Sequence, residues 1–210
     1  MKKSIFFDLD GTLWDALIPL TESWNQAMDE HNENFHFDLK MMQSYMGLTP
    51  EETVPLAFPG VDFSKGMELF RICIKSEISY LSKHPGILYP QEEEVLSILS
   101  QEYPLYVVSN SDKGYVENYL SATHMEKYFT GHVCAGDTNL PKWKNIIYLK
   151  EKEGIDQVIY LGDTLKDKTE SEKAGVQFIH ASYGFGKIEN CKFSISELAE
   201  LPIYIQKIFD

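Results

Sequence analysis

Ile5-Phe6-Phe7-Asp8-Leu9-Asp10-Gly11-Thr12-Leu13 is the stretch from which the rest of the chain is read. An apolar run of strand-forming residues leads into two aspartates spaced i, i+2. A glycine and a threonine then break the strand. Side chains two apart in an extended chain point to the same face. Asp8 and Asp10 are therefore expected to project into one small volume at the C-terminal end of a buried strand. Two carboxylates that close repel, so one rises in pKa or a cation sits between them. Such a pair suits metal-assisted chemistry, with one carboxylate as nucleophile and the other as proton carrier. Gly11 permits unusual backbone angles, and the amides beyond the strand can face an anion. An ordinary strand ending in a polar turn would read the same way, so the decision falls to the segments that follow.

From Leu17 the pattern becomes helical: Leu17, Leu20, Trp24, Ala27, Met28 and His31 share one face. A short helix is expected over Leu39, Met42 and Met46, closed by Gly47. Thr49-Pro50-Glu51-Glu52 reads as a capping box with proline at the first helical position. Met67, Phe70, Ile74, Ile78 and Leu81 form the apolar face of a long helix that stops before His84-Pro85-Gly86. From Pro85 onward strands and helices alternate. Strands are expected at Leu105–Val108, His132–Ala135, Val158–Leu161 and Val176–Ile179. Helices are expected over Gln91–Gln101, after a cap at Asp112, over Trp143–Glu153, over Thr169–Ala174 and in most of the tail from Ser194 to Phe209. Such alternation implies α/β architecture, a Rossmann-like parallel sheet with helices on both faces. The expected organisation is an α/β core (1–15 and 85–210) split by an all-helical cap (16–84). Leu13–Ala16 and Lys83–Gly86 would be the hinges of a lid that excludes water.

Three further segments carry chemistry. Val107-Val108-Ser109-Asn110-Ser111 ends a buried strand in hydroxyl and amide groups, which can donate to a phosphoryl oxygen. A plain turn would use the same residues. Pro141-Lys142-Trp143-Lys144 offers an ammonium to stabilise the charge of a transferring phosphoryl group, with Lys142 and Lys144 both eligible. Tyr160-Leu161-Gly162-Asp163-Thr164-Leu165-Lys166-Asp167 ends another strand in aspartates four apart. Mg²⁺ prefers such hard oxygen ligands, with Asp163 as direct ligand and Asp167 as ligand or outer partner. Ligands of open α/β sheets bind at such strand ends.

The totals narrow the classes. The 210 residues suit one domain, or one domain with an insertion, and a formal net charge of -13 disfavours nucleic acid as a partner. Cys73, Cys134 and Cys191 are scattered and odd in number, which argues against a disulfide framework or zinc site. The apolar run after Met1-Lys2-Lys3-Ser4 is too short for a signal-peptide core, and no run is long enough to span a bilayer. A cytoplasmic protein without a membrane partner is expected.

DxDGT at Asp8–Thr12, Ser109 at a strand end, Lys142 before a helix and GDxxxD at Gly162–Asp167 together resemble the four motifs of the haloacid dehalogenase-like superfamily. The inserted helices resemble the cap of its phosphoglycolate phosphatase-like branch, and Ala181–Gly186 resembles the loop after its last strand. One departure is the order Pro141-Lys142 where many relatives have Lys-Pro; Lys142 is assigned, with Lys144 in reserve. The resemblance implies a phosphatase that acts on a small phosphorylated metabolite as a monomer or homodimer. It implies Asp8 as nucleophile, Asp10 as acid and base, and Ser109 and Lys142 on the phosphoryl oxygens. Thr12, Asn110 and Gly47 would contact substrate, and Mg²⁺ would be held by Asp8, the Asp10 carbonyl and Asp163, with Asp167 beside them. Asp10 argues against a dehalogenase, whose halide leaving group needs no acid. A phosphomutase of the same fold and a non-catalytic phosphate-binding protein are the rival classes.

Overall fold

The computed structural model describes residues 1–209. β1 (Lys3–Phe7) and a two-residue β2 (Trp14–Asp15) come first. Four helices follow: α1 (Leu17–Glu30), α2 (Leu39–Tyr45), α3 (Pro50–Ala57) and α4 (Phe63–Leu81). After β3 (Ile87–Leu88) the chain runs α5 (Glu92–Leu99), β4 (Leu105–Ser109), α6 (Tyr115–Thr123), β5 (Gly131–Cys134), α7 (Ala135–Thr138) and α8 (Lys142–Lys152). It ends with β6 (Gln157–Gly162), α9 (Leu165–Lys173), β7 (Gln177–Ala181), β8 (Ser194–Ile195) and α10 (Leu201–Phe209).

Six strands form one parallel sheet in the order β5-β4-β1-β6-β7-β8. β1 lies between β4 and β6, with Ile5 opposite both Leu105 and Ile159. Its residues are apolar throughout the buried run because both faces are covered. Ile5 and Phe7 join the core made with α5, α6 and α10, while Phe6 joins the one made with α8. Fully burying side chains of this size contributes roughly 1.5–3 kcal/mol each. The four inserted helices pack on one another around Trp24, whose ring meets Phe37, Tyr45, Phe58 and Phe70. The capping box of α3 forms as read, with Thr49 and Glu52 exchanging bonds.

Several details differ from the sequence reading. The strand ends at Phe7, so only Asp8 continues the ladder, through its N–H to the Leu161 carbonyl (2.8 Å). Asp10 instead belongs to a turn in which the Thr12 and Leu13 amides reach back to the Leu9 carbonyl. The two crossings are joined as a ribbon, β2 antiparallel to β3 with Trp14 opposite Leu88. α6 is capped by Gly114, whose N–H donates to Glu117, and not by Asp112. α9 begins at Leu165 rather than near Thr169, because Thr164 is its cap and Asp167 completes the capping box. In the tail, Ser194–Ile195 is a strand, pairing with β7, before the last helix starts.

Candidate active site

The C-terminal ends of β1, β4 and β6 meet beneath the inserted helices. Asp8 follows β1, Ser109 ends β4, and Asp163 follows β6. Lys142 opens α8 and is buried to 1% exposure. Its ammonium donates to Asp8 Oδ1 at 2.8 Å and to Asp167 Oδ1 at 2.6 Å. Lys144, the reserve, is exposed against the Trp143 ring.

Asp8, Asp163 and Asp167 offer carboxylate oxygens within 4.8 Å of one another, all buried. With all three carboxyls ionised, one ammonium would leave two negative charges uncompensated, which is the charge of one divalent cation. The oxygens differ in how they are occupied. Asp167 accepts from Lys142 through Oδ1 and from the Thr164 amide and hydroxyl through Oδ2. Asp163 Oδ2 accepts from the Phe185 amide at 2.7 Å and the Gly186 amide at 3.2 Å, while its buried Oδ1 has no partner. Orphaned buried carboxylate oxygens are rare, and a hard cation satisfies them. The residues present therefore fit Mg²⁺. Gly11 is required here: its φ is +77°, and a Cβ would fall 2.8 Å from the Phe185 ring and onto the Asp163 carboxylate.

The charge states follow from the same geometry. Burial, with Asp167 and Asp163 nearby, raises Asp8 well above the usual carboxylate range despite Lys142. Burial and Asp167 push Asp163 up to about 7 against the two backbone amides. Burial also acts on Asp167, but Lys142 and Thr164 outweigh it and hold that carboxyl low. Lys142 is desolvated too, yet Asp167 and Asp8 keep it charged.

Asp10 sits beside this cluster. Tyr115 Oη at 2.7 Å and Trp14 Nε1 at 3.1 Å both donate to its Oδ1, leaving Oδ2 for a proton. Burial raises its pKa to about 6, with those two hydrogen bonds opposing. A carboxyl poised there can both give and take a proton near neutral pH. Ser109 is buried, and its Oγ accepts from the Ser111 amide at 3.1 Å, so the hydroxyl hydrogen remains available to donate.

A cavity of about 100 Å³ lies between these residues and the inserted helices. Asp8, Asp10, Ser109, Asn110, Gly47 and Lys142 line it. Thr12 does not; it is fully buried, with its hydroxyl unpartnered and its carbonyl accepting from Tyr183 Oη. Asn110 donates through Nδ2 to the Gly47 carbonyl at 3.1 Å, so the two join across the cavity mouth. Three residues essential to the geometry were not found from sequence: Trp14 and Tyr115, which hold Asp10, and Glu77, a buried carboxyl in the wall. A carboxylate at the buried face of the amphipathic α4 pattern was the available signal for Glu77; Trp14 and Tyr115 gave none.

A sequence profile of the haloacid dehalogenase-like hydrolases matches residues 5–181. A phosphoglycolate phosphatase of Haemophilus influenzae is 28% identical over 197 residues, covering 87% of each chain. One from Neisseria meningitidis is 26% identical over 195 residues, covering 88% of this chain and 82% of its own. The fold is similar to that of a haloacid dehalogenase-like hydrolase of Streptococcus pneumoniae, with TM-score 0.82 at 24% identity over 98% of this chain and 99% of that one.

Proposed function

The chain belongs to the haloacid dehalogenase-like hydrolase family and is a phosphoric monoester hydrolase; we propose that it needs Mg²⁺ and acts on a small phosphorylated metabolite through an aspartyl-phosphate at Asp8. The observation that carries the reading is one constellation: Asp8 and Asp10 with Ser109 and Lys142 around one cavity. In this reading residues 16–84 are the cap, and residues 1–15 and 85–210 the catalytic core. No helix among the described residues is long and apolar enough to cross a membrane, and a cytoplasmic setting is part of the proposal.

Asp8 attacks phosphorus. Lys142, already 2.8 Å from its carboxylate, reduces the repulsion between that carboxylate and the incoming phosphate and then holds an equatorial oxygen. Ser109 donates its hydroxyl to a second oxygen. Asp10 protonates the leaving alcohol through Oδ2, then takes a proton from the water that cleaves the acyl phosphate. Tyr115 and Trp14 keep its Oδ1 fixed during both transfers. Asp8, the Asp10 carbonyl and the unpartnered Oδ1 of Asp163 would hold the metal, with Asp167 steering Lys142 and the first turn of α9. Bound there, Mg²⁺ would supply electrostatic stabilisation of charge on the transferring phosphoryl group. The closed cap excludes water until the alcohol has left.

The test is hydrolysis of p-nitrophenyl phosphate with Mg²⁺ and with chelator, combined with rapid acid quench. A phosphorylated, hydroxylamine-sensitive peptide containing Asp8 is expected. Turnover without such a peptide would remove the covalent step, and full activity in chelator would remove the metal.

A further inference from the structure

The alcohol end of the cavity carries its own signature. Its walls include Leu20, Trp24, Met42, Tyr45 and Phe70 from the inserted helices, with Glu77 among them. Among the lining residues the one cation is Lys142, which Asp8 and Asp167 already engage. The chain has a single arginine, Arg71, and it is exposed. A carboxylate-bearing alcohol would thus meet no cation there, only the carboxyls of Glu77 and Asp112.

Glu77 itself requires a reason. It lies on the face of α4 that carries Phe70 and Ile74, is 7% exposed, and accepts from the Trp24 indole nitrogen through Oε1. A glutamine would accept that bond without a charge to desolvate. Burial, offset in part by the indole bond, pushes Glu77 up to about 8. Aromatic faces and a carboxyl in one small pocket are the groups that recognise an ammonium, by cation–π attraction and a charge-assisted hydrogen bond.

We propose that the substrate is the phosphomonoester of a short amino alcohol, with its carbons against Trp24, Met42 and Phe70 and its ammonium on Glu77. The proposal deepens the phosphatase reading and rests on it for the position of the phosphate. Glu77 is then the residue that sets specificity. It contacts the leaving alcohol opposite the reacting atoms, and an entering ammonium takes the place of its proton as countercharge.

The experiment compares phosphoethanolamine, phosphocholine, propyl phosphate and 2-phosphoglycolate. With the unmodified chain and Mg²⁺, kcat/KM for phosphoethanolamine should exceed that for propyl phosphate roughly tenfold to a hundredfold, as one charge-assisted contact implies, with phosphocholine, which has no N–H to donate, between them and 2-phosphoglycolate lowest. Glu77→Gln keeps the acceptor for Trp24 and should collapse the ratio of phosphoethanolamine to propyl phosphate towards one. Glu77→Lys should move 2-phosphoglycolate up the ranking. Calorimetric titration of the same esters into Asp8→Asn protein reads binding without turnover. Absence of hydrolysis with the binding order intact would sink the phosphatase reading and leave this inference standing. Hydrolysis in which 2-phosphoglycolate matches phosphoethanolamine, or a ranking that Glu77→Gln does not move, would overturn the inference alone. If Glu77→Gln fails to fold, the binding order of the four esters on Asp8→Asn protein decides it.

Discussion

Replacing Lys142 by methionine tests the centre of the site, because the side chain stays unbranched and nearly as long but loses the ammonium and its donors. In the folded protein that ammonium is 1% exposed and bridges Asp8 at 2.8 Å and Asp167 at 2.6 Å. Removing one member of a buried pair strands the other, at a cost of about 3–5 kcal/mol. For a chain of this size each kcal/mol shifts the melting temperature by roughly 2–4 °C. The metal-free variant should therefore melt roughly 6–20 °C below the parent. Three buried carboxylates then face one another with no cation among them, so Mg²⁺ should recover part of that loss and stabilise the variant more than the parent. Catalysis is read separately, since loss of one preorganised donor to the transferring group costs about 10²–10³ in kcat. The assay is a pair of melting curves with and without Mg²⁺, followed by steady-state hydrolysis of p-nitrophenyl phosphate. A melting temperature within 2 °C of the parent, whatever the activity, would refute the argument that this ion pair carries the site's stability. A kcat within about threefold would refute the role on the phosphoryl group.

Asp8→Asn should abolish turnover with the fold intact by circular dichroism, because an amide is a poor nucleophile. Asp10→Asn should fall furthest on esters of poor leaving groups; an equal loss across a series of leaving groups would contradict its role as acid. Asp163→Ala should weaken Mg²⁺ affinity more than Asp167→Ala, since Asp163 Oδ1 is the unpartnered oxygen while both Asp167 oxygens are engaged; titrating activity against Mg²⁺ checks the order. Glu92 is buried under Tyr119, and burial lifts its pKa from 4.5 to about 8. The folded state thus holds a proton between those values that the unfolded state has lost, so stability falls as pH rises through that window, by up to about 1.4 kcal/mol per pH unit. Glu92→Gln should flatten that limb of a melting-temperature profile, and an unchanged slope would show that Glu92 is not its source.

The sheet and the inserted helices were legible because both depend on long patterns. Apolar strands alternating with helices fix a parallel sheet, and the stripe from Met67 to Leu81 spans about four turns of α4. The chemistry-bearing residues that follow a strand or open a helix, such as Asp163 and Lys142, were legible for the same reason: their place is set by neighbours in sequence. What escaped depends on partners far along the chain. Tyr115 finds Asp10 across 105 residues, and nothing local marks it. β2, β3 and β8 have two residues each, too few for a period to show. The start of α9 was read four residues late, at Thr169, because Leu165–Lys168 carries a single apolar residue and shows no period; the Thr164 cap and its box with Asp167 set the start at Leu165.

The same long-range dependence explains why one short contact can link chemistry to closure. Asn110 follows Ser109 directly, so its backbone is set by the strand that presents the Ser109 hydroxyl. Its side chain donates to the carbonyl of Gly47, which lies between α2 and α3 of the insertion. Gly47 has φ +74°, a conformation that costs a side-chain-bearing residue and leaves glycine unstrained. A Cβ there would meet only the Thr164 side chain, at 3.8 Å, so the backbone angle and not space is what demands glycine. The turn aims the carbonyl at the core instead of continuing α2, and the bond joins the insertion to the end of β4. Asn118 to the Ile78 carbonyl (2.6 Å) and the Lys166–Glu52 pair tie the same two bodies at other points. Of these ties, the one at Asn110 is adjacent to the reacting groups. On the role proposed for Ser109, a bound phosphoryl group would also bias Asn110, and through it the position of Gly47 over the site.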